Sequence, residues 1–363
     1  MYYTGVNIGG LFSQNTNFSD EYLDNFVTEN DIKRISGWGF NTIRLPVDYY
    51  FFEDDSNPFT YDMKRIKRID DFIGLTRKYN LKTILDFHNV PGFTFEAHKL
   101  EFNDIWDKNS QNRKRFLKIL EFFSSRYRHL ENIIYEIINE PVAPDNSQWL
   151  ELAEEGISTI RKHDKNNFIV AESNLWGMAK NFKILKKFED DRIIYSFHFY
   201  EPILVTHQFA PWAPFYRYYK QKVDYPGKPG NYSESITSMV EKDNKYFVNF
   251  LRDIDKIWNK DEMLKLIEPV LQFRDKHNVP VLCGEFGCII RADKAVRRRW
   301  LKDIIEIFKE NKISYTYWTY KNMDFGIYDF TEEYKDNENY GIKDRIDSDT
   351  LKILQSGIET IRK

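Results

Sequence analysis

The stretch Ile133 to Pro141, IIYEIINEP, is an apolar run that ends in an amide, a carboxylate and a proline. Runs of this composition are strands buried on both faces. A proline also restricts the residue before it to extended geometry. The pattern therefore predicts Glu140 at the last position of a buried strand. A second run, Val279 to Gly287, VPVLCGEFG, has the same plan and delivers Glu285 at its end beside glycines. Either glutamate alone could bond a neighbouring loop; two of them suggest one active site with two carboxyl groups.

Working outward from these runs, strand signals recur with helical patterns between them, the mark of a parallel α/β fold. The predicted strands are 3–8, 42–47, 83–87, 133–139, 168–172, 194–200, 281–285 and 315–320. Eight strands close a barrel, so the expected fold is a (β/α)8 barrel. Apolar residues fall at helical spacing between them, as in Met63, Ile66, Ile69 and Ile73, or Trp300, Ile304, Ile307 and Phe308. Thr28 with Asp31 resembles a capping box before the first barrel helix. A connection of some sixty residues, 201–261, rich in Pro, Gly and Tyr, interrupts the rhythm after the sixth strand. A connection that long is expected to be a lid or small subdomain on the catalytic face, with helical pieces near residues 240 and 250. Its first half, with Phe209, Trp212, Phe215, Tyr216, Tyr218 and Tyr219, suits flat sugar faces, and its second half, with Tyr246, Phe247, Phe250, Leu251 and Trp258, is expected to form a small core of its own. No linker, repeat or low-complexity segment divides the chain, and residues 1–363 are expected to form one domain.

Composition narrows the class. Hydrophobic residues make up 42% and charged residues 30%, enough for a large core under a polar surface. The net charge of −3, with Lys and Arg dispersed, disfavours a nucleic-acid partner. The densest basic run, Arg297 to Arg299, continues into an amphipathic helix. Aromatic residues at 17% suit flat contact with sugar rings, although most must serve the core. Cys283 and Cys288, flanking Glu285, are too far apart on an extended chain to bridge, so two free thiols are expected. No apolar stretch is long enough for a membrane span and no leader precedes the first strand. The expected locations are the cytoplasm, or outside the cell after removal of a leader, with the chain acting as a monomer.

In such barrels the strand ends build the site. The polar census there is Arg44 in TIRLP, His88 in DFH, Asn139 and Glu140 in INEP, His198 and Tyr200 in SFHFY, Glu285 in GEFG, and Trp318 in YWTY. Any one of these could be structural; their recurrence at successive strand ends points to a site. The ordered set resembles glycoside hydrolase family 5, the retaining glycosidases on (β/α)8 TIM barrels. The segments GVNIGG, GFNTIRLPVDY, NEPV, HFYEP with THQ and Trp212, CGEFG and YWTYKNMDF are most similar to its short single-domain clostridial endoglucanases. The resemblance covers essentially the whole chain. It implies hydrolysis of internal β-1,4 bonds of glucans, with mixed-linkage β-glucan included. It assigns Glu140 as acid/base and Glu285 as nucleophile, in opposite protonation states held by His198 and Tyr200. It also has Asn139 bond the sugar 2-OH, Arg44 orient Glu285, Trp318 stack under the glycone ring with a cis peptide to Thr319, and Trp212 stack an aglycone sugar. No cofactor or metal is implied. One departure is Asn89, where members often carry a second histidine, and this bears on sugar preference.

Within the enzyme class the alternatives are a β-mannanase, a xyloglucanase or an exo-acting β-glucosidase on the same scaffold. A different class is a metal-dependent barrel hydrolase with Asp86, His88 and His198 as ligands, which lacks the usual His-x-His or grouped carboxylates. A catalytically dead carbohydrate-binding barrel would be expected to have lost Glu140 or Glu285, and both are present.

Overall fold

Eight buried runs become strands: β1 (Thr4–Asn7), β2 (Thr42–Asp48), β3 (Lys82–Asn89), β4 (Ile133–Glu136), β5 (Ile169–Glu172), β6 (Ile193–Phe199), β7 (Val281–Phe286) and β8 (Ser314–Tyr317). Each pairs in parallel with the next, and β8 pairs in parallel with β1, so the sheet closes in sequence order. This is the expected (β/α)8 barrel. The computed structural model describes residues 2–96, 99–213, 216, 220–229, 238, 256–328 and 345–358.

The outer ring holds α1 (Glu29–Gly37), α2 (Met63–Lys78), α3 (Gln111–Tyr127), α4 (Asn146–Arg161), α5 (Lys260–His277), α6 (Lys294–Asn311) and α7 (Ser348–Ser356). Short polar side chains start them: Asp62, Ser110, Asp145, Asn259, Asp293 and Asp347 each accept from backbone N–H groups of the first turn. At α1 the Asp31 carboxylate accepts from the Thr28 backbone N–H and hydroxyl, the reciprocal half of the expected box. The position after β5 breaks the pattern. There a short 3-10 turn, Ala179–Lys183, takes the helix's place and packs Phe182 on Phe273 of α5.

The barrel interior is layered because strand side chains alternate. Its floor is a small apolar cluster of Tyr3, Ile84, Ile134, Val170, Ile194 and Leu282. Two residues further along β3, β4, β5 and β6, the buried positions become Asp86, Glu136, Glu172 and Ser196. The alternate residues of the strands, such as Ile43, Leu45, Tyr135, Phe197 and Phe286, join the larger core between sheet and helices. On β7, strict alternation from Leu282 would turn Glu285 outward. The register shifts there instead, from Phe197↔Cys283 to His198↔Glu285, skipping Gly284. That irregularity re-aims Glu285 into the barrel.

Two expectations need correction. The run 133–139 is not all strand: β4 ends at Glu136, and Glu140 lies beyond it at φ +45° rather than in extended geometry. The ladder continues only irregularly, with Ile137 N–H on Val170 O and Asn139 N–H on Phe87 O. In the segment after β6, Trp258 was expected in a separate small core. It is instead buried in the main cluster, its backbone paired with Gly227. Phe215, Tyr218, Tyr219, Tyr246, Phe247, Phe250 and Leu251, and the helices expected near residues 240 and 250, lie outside the described residues. Cys283 and Cys288 are both free and buried, as expected. No helix among the described residues is long and apolar enough to cross a membrane.

Candidate active site

Arg44 sits at the centre of the polar layer, with its side chain fully buried. Its Nη1 donates to Glu285 Oε1 at 2.6 Å and to Asn7 Oδ1 at 3.0 Å. Its Nε donates to Glu136 Oε2 at 2.7 Å, and its Nη2 to Asn139 Oδ1 at 2.9 Å. Asp86 Oδ2 lies 3.0 Å from Nη2. Burial works against the charge, but Asp86, Glu136 and Glu285 more than offset it and keep the guanidinium firmly protonated. Arg44 thus ties β1, β2, β3, β4 and β7 together at the mouth.

Glu285 has a set of donors around both oxygens. Besides Arg44 it takes the Tyr200 hydroxyl on Oε2 at 3.0 Å, and His198 Nδ1 lies 3.7 Å from the same oxygen. Burial raises its pKa, but His198, Arg44 and His88 with the Tyr200 bond outweigh that and hold it below the ordinary carboxylate value. Tyr200 itself is pushed well above the usual phenol by burial and by Glu285, so it remains a donor.

Glu140 has one close partner, His198 Nδ1 at 2.8 Å from Oε1. Its left-handed backbone is uncommon for a residue with a side chain and costs about 1–3 kcal/mol, which the surrounding fold must supply. One carboxylate oxygen from each of Glu140 and Glu285 and one His198 nitrogen all lie within 4.8 Å of one another. His198 is held well above the ordinary histidine value: burial would strip its proton, but Glu172 and Glu285 hold it.

Three buried nitrogens in the site have no hydrogen-bond partner among the described residues, Asn139 Nδ2, His88 Nε2 and His198 Nε2, the last with only an ion-pair contact to Glu172 at 3.2 Å. His88 Nδ1 is anchored on Asp86 at 2.7 Å, which fixes the ring. The His88 ring stacks on Trp318 at 5.8 Å and 7° between planes, and the Trp318–Thr319 peptide is cis. Asn89 turns away to Asp48, donating from its backbone N–H and its amide at 3.0 and 2.7 Å. Trp212 is 52% exposed, its ring near His207 and Phe325.

Residues 3–324 match the family described as Cellulase (glycosyl hydrolase family 5). The chain belongs to glycosyl hydrolase family 5. It is 37% identical over 326 residues to Endoglucanase C of Acetivibrio thermocellus, covering 89% of this chain and 92% of that protein. It is 32% identical over 314 residues to Cellodextrinase A of Ruminococcus flavefaciens, covering 85% and 83%. A solved structure described as a glycoside hydrolase superposes with a TM-score of 0.79 at 22% identity, over 98% of this chain and 99% of that one, a likeness of fold.

Around the census residues the family 5 barrel carries two acids that sequence reasoning did not single out, Glu136 and Glu172; Asp86 entered only as a metal ligand. All three side chains are fully buried. A signal was available. Asp86 and Glu136 are acids inside otherwise apolar runs and Glu172 closes one, each two residues beyond the floor residues Ile84, Ile134 and Val170. The trio Asp86, His88 and His198 does not converge as a ligand set. Among the described residues, the groups close enough to hold an ion are Glu136–Glu172–His198 and Glu140–His198–Glu285.

Proposed function

We propose that this family 5 chain is a retaining endo-β-1,4-glucanase that cleaves internal bonds of β-glucans with Glu140 as acid/base and Glu285 as nucleophile. The approach of one Glu140 and one Glu285 oxygen, together with a His198 nitrogen, within 4.8 Å carries the reading. Retaining glycosidases hold their two carboxyl groups ~5 to 5.5 Å apart, whereas inverting ones leave ~6.5 to 9.5 Å for a water. The names of the relatives, an endoglucanase and a cellodextrinase, support a β-1,4-glucan substrate.

The chemistry follows from the environments. Glu285, kept ionised, attacks the anomeric carbon while protonated Glu140 delivers its proton to the departing glycosidic oxygen. The glycosyl–Glu285 ester forms as the aglycone leaves with that proton. Glu140, now a carboxylate, takes a proton from water, which displaces Glu285 and restores both groups. The unpartnered Asn139 Nδ2 is suited to the sugar 2-OH and His88 Nε2 to another hydroxyl of the glycone ring, with Trp318 as its apolar floor. We also read the 201–261 connection as capping the aglycone side, with half-exposed Trp212 offered to the sugar.

Digestion of cellodextrins, lichenan, mannan and xylan, with product lengths and anomeric configuration followed over time, tests this. Early release of mixed-length products from lichenan and longer cellodextrins, with β-configured reducing ends, is expected. An α-configured first product overturns retention. Release of single glucose units makes it an exo-acting β-glucosidase, and preference for mannan or xyloglucan makes it a mannanase or xyloglucanase.

A further inference from the structure

We propose that Glu172 is a positioning residue for this reaction: from beneath the catalytic pair it fixes the His198 ring between Glu140 and Glu285, and its charge governs how firmly that ring keeps its proton. The proposal rests on the two-glutamate reading above. Both ring nitrogens of His198 face a carboxyl group, Nδ1 at 2.8 Å from Glu140 Oε1 and Nε2 at 3.2 Å from Glu172 Oε1. Glu172 is the last residue of β5, facing Ser196 of β6 in register, and its side chain has no solvent exposure. Among the described residues neither of its oxygens has a well-directed hydrogen-bond partner, unlike those of Glu136 beside it.

The backbone is shaped to admit this contact. A Cβ on Gly177, at φ +62°, would lie 2.5 Å from Glu172 Oε2 and 3.0 Å from His198 N. A Cβ on Gly284 would lie 3.0 Å from His198 Nε2. His198 N–H also donates to Gly177 O at 2.8 Å. Any side chain at either glycine would push the ring off Glu172.

The charges facing Glu172 come from several strands. Arg44 Nη2 of β2 is 3.7 Å away, with Asp86 of β3 and Glu136 of β4 sharing that guanidinium. His198 of β6 and, more distantly, Glu285 and the Cys283 thiol of β7 complete the set. Burial raises Glu172 to about 8, with His198 drawing it down and Glu136 pushing it up. As pH rises through that value it becomes an anion beside Nε2, which favours the imidazolium. No other anion contacts Nε2 among the described residues.

Ring ¹⁵N NMR titration of the full chain, with His198 assigned by its own substitution, tests this in wild type and Glu172→Gln. In the variant His198 is expected to lose its second proton at lower pH. The alkaline limb of kcat/KM is expected to move the same way, and kcat to fall roughly tenfold with KM nearly unchanged. A His198 titration and pH limb that overlay wild type overturn the proposal, whatever the melting temperature does. If Glu172→Gln does not fold, Glu172→Asp, which keeps the charge but withdraws it from Nε2 by one methylene, is expected to shift the His198 titration in the same direction by a smaller amount, and an overlay with wild type again overturns the proposal. Failure of the two-glutamate reading would appear separately, as retained activity in Glu140→Gln or Glu285→Gln while the His198 titration still moves.

Discussion

The tips of β4 and β7 carry similar sequence signals and hold their glutamates in different ways. Glu285 stays within the ladder, turned inward by a register shift, and meets a guanidinium, a phenol and an imidazole. Glu140 stands past the end of its strand in a left-handed conformation, with His198 as its close partner and 14% side-chain exposure against 7% for Glu285. The difference fits the two tasks proposed for these residues. A nucleophile must stay ionised and aimed at one carbon, which a fixed array of donors achieves. An acid that becomes a base must exchange a proton with an aglycone and then with water, which a cage of cations would oppose.

Glu285→Gln is expected to produce the largest effect, a loss in kcat on the order of 10⁴-fold or more on every substrate. Steady-state assays on glucan and on activated aryl glycosides would expose any substrate on which it is spared. Glu140→Gln should cost ~10²- to 10⁴-fold on glucan and clearly less on aryl glycosides whose leaving groups need little protonation. Equal losses on both would erase the contrast between the two tips. Tyr200→Phe removes a hydrogen bond to a charged group, worth about 1.5–3 kcal/mol, from Glu285 only. Glu285 sits below its ordinary value, so activity needing its ionised form is present above that pKa and lost as pH falls through it. Taking away the donor raises the pKa, and the acid limb of kcat/KM should move to higher pH. A limb that stays put would show that Arg44 and His198 alone keep Glu285 ionised. Trp212→Ala is the mildest, weakening binding of long glucans by ~1 to 2 kcal/mol and leaving short aryl glycosides nearly unaffected. A lower melting temperature with unchanged kinetics would make Trp212 part of the core.

Strands, their order and the residues at their tips were legible because buried parallel strands announce themselves as apolar runs, and a polar residue at the end of one stands out. Arg44, His198 and Tyr200 were visible in this way. Glu136 was passed over because it lies one step deeper, where an acid inside an apolar run looks like an interruption; Glu172 closes its run, FIVAE, as a polar end residue, and was left out of the census although the same signal marked it. Only the closed sheet shows that Arg44 from β2 meets Glu136 and Asp86 across the interior. The β4 boundary was overrun because apolar composition continues through Ile137 and Ile138, and composition carries no information on the turn to φ +45°. The inward turn of Glu285 was equally hidden, since a one-residue shift between β6 and β7 depends on both strands at once. Trp258 was misassigned because a large aromatic ring packs wherever space is offered, and its backbone partner Gly227 is 31 residues earlier.

The pairing of β1 with β8 sets a timetable for synthesis. Asn7 Nδ2 donates to Thr316 O, and Thr319 Oγ1 to Asn7 O, contacts separated by 309 and 312 residues. A ribosome adding about 5–20 residues per second takes on the order of 15–60 s to cover that interval. Throughout it β1 waits with one edge unpaired, and Arg44 waits for Glu285, one of the carboxylates that compensate its charge. The seam is therefore the last part of the barrel that can form, and the nascent chain depends on its early β1–β2–β3 pairing to keep that edge from finding another partner.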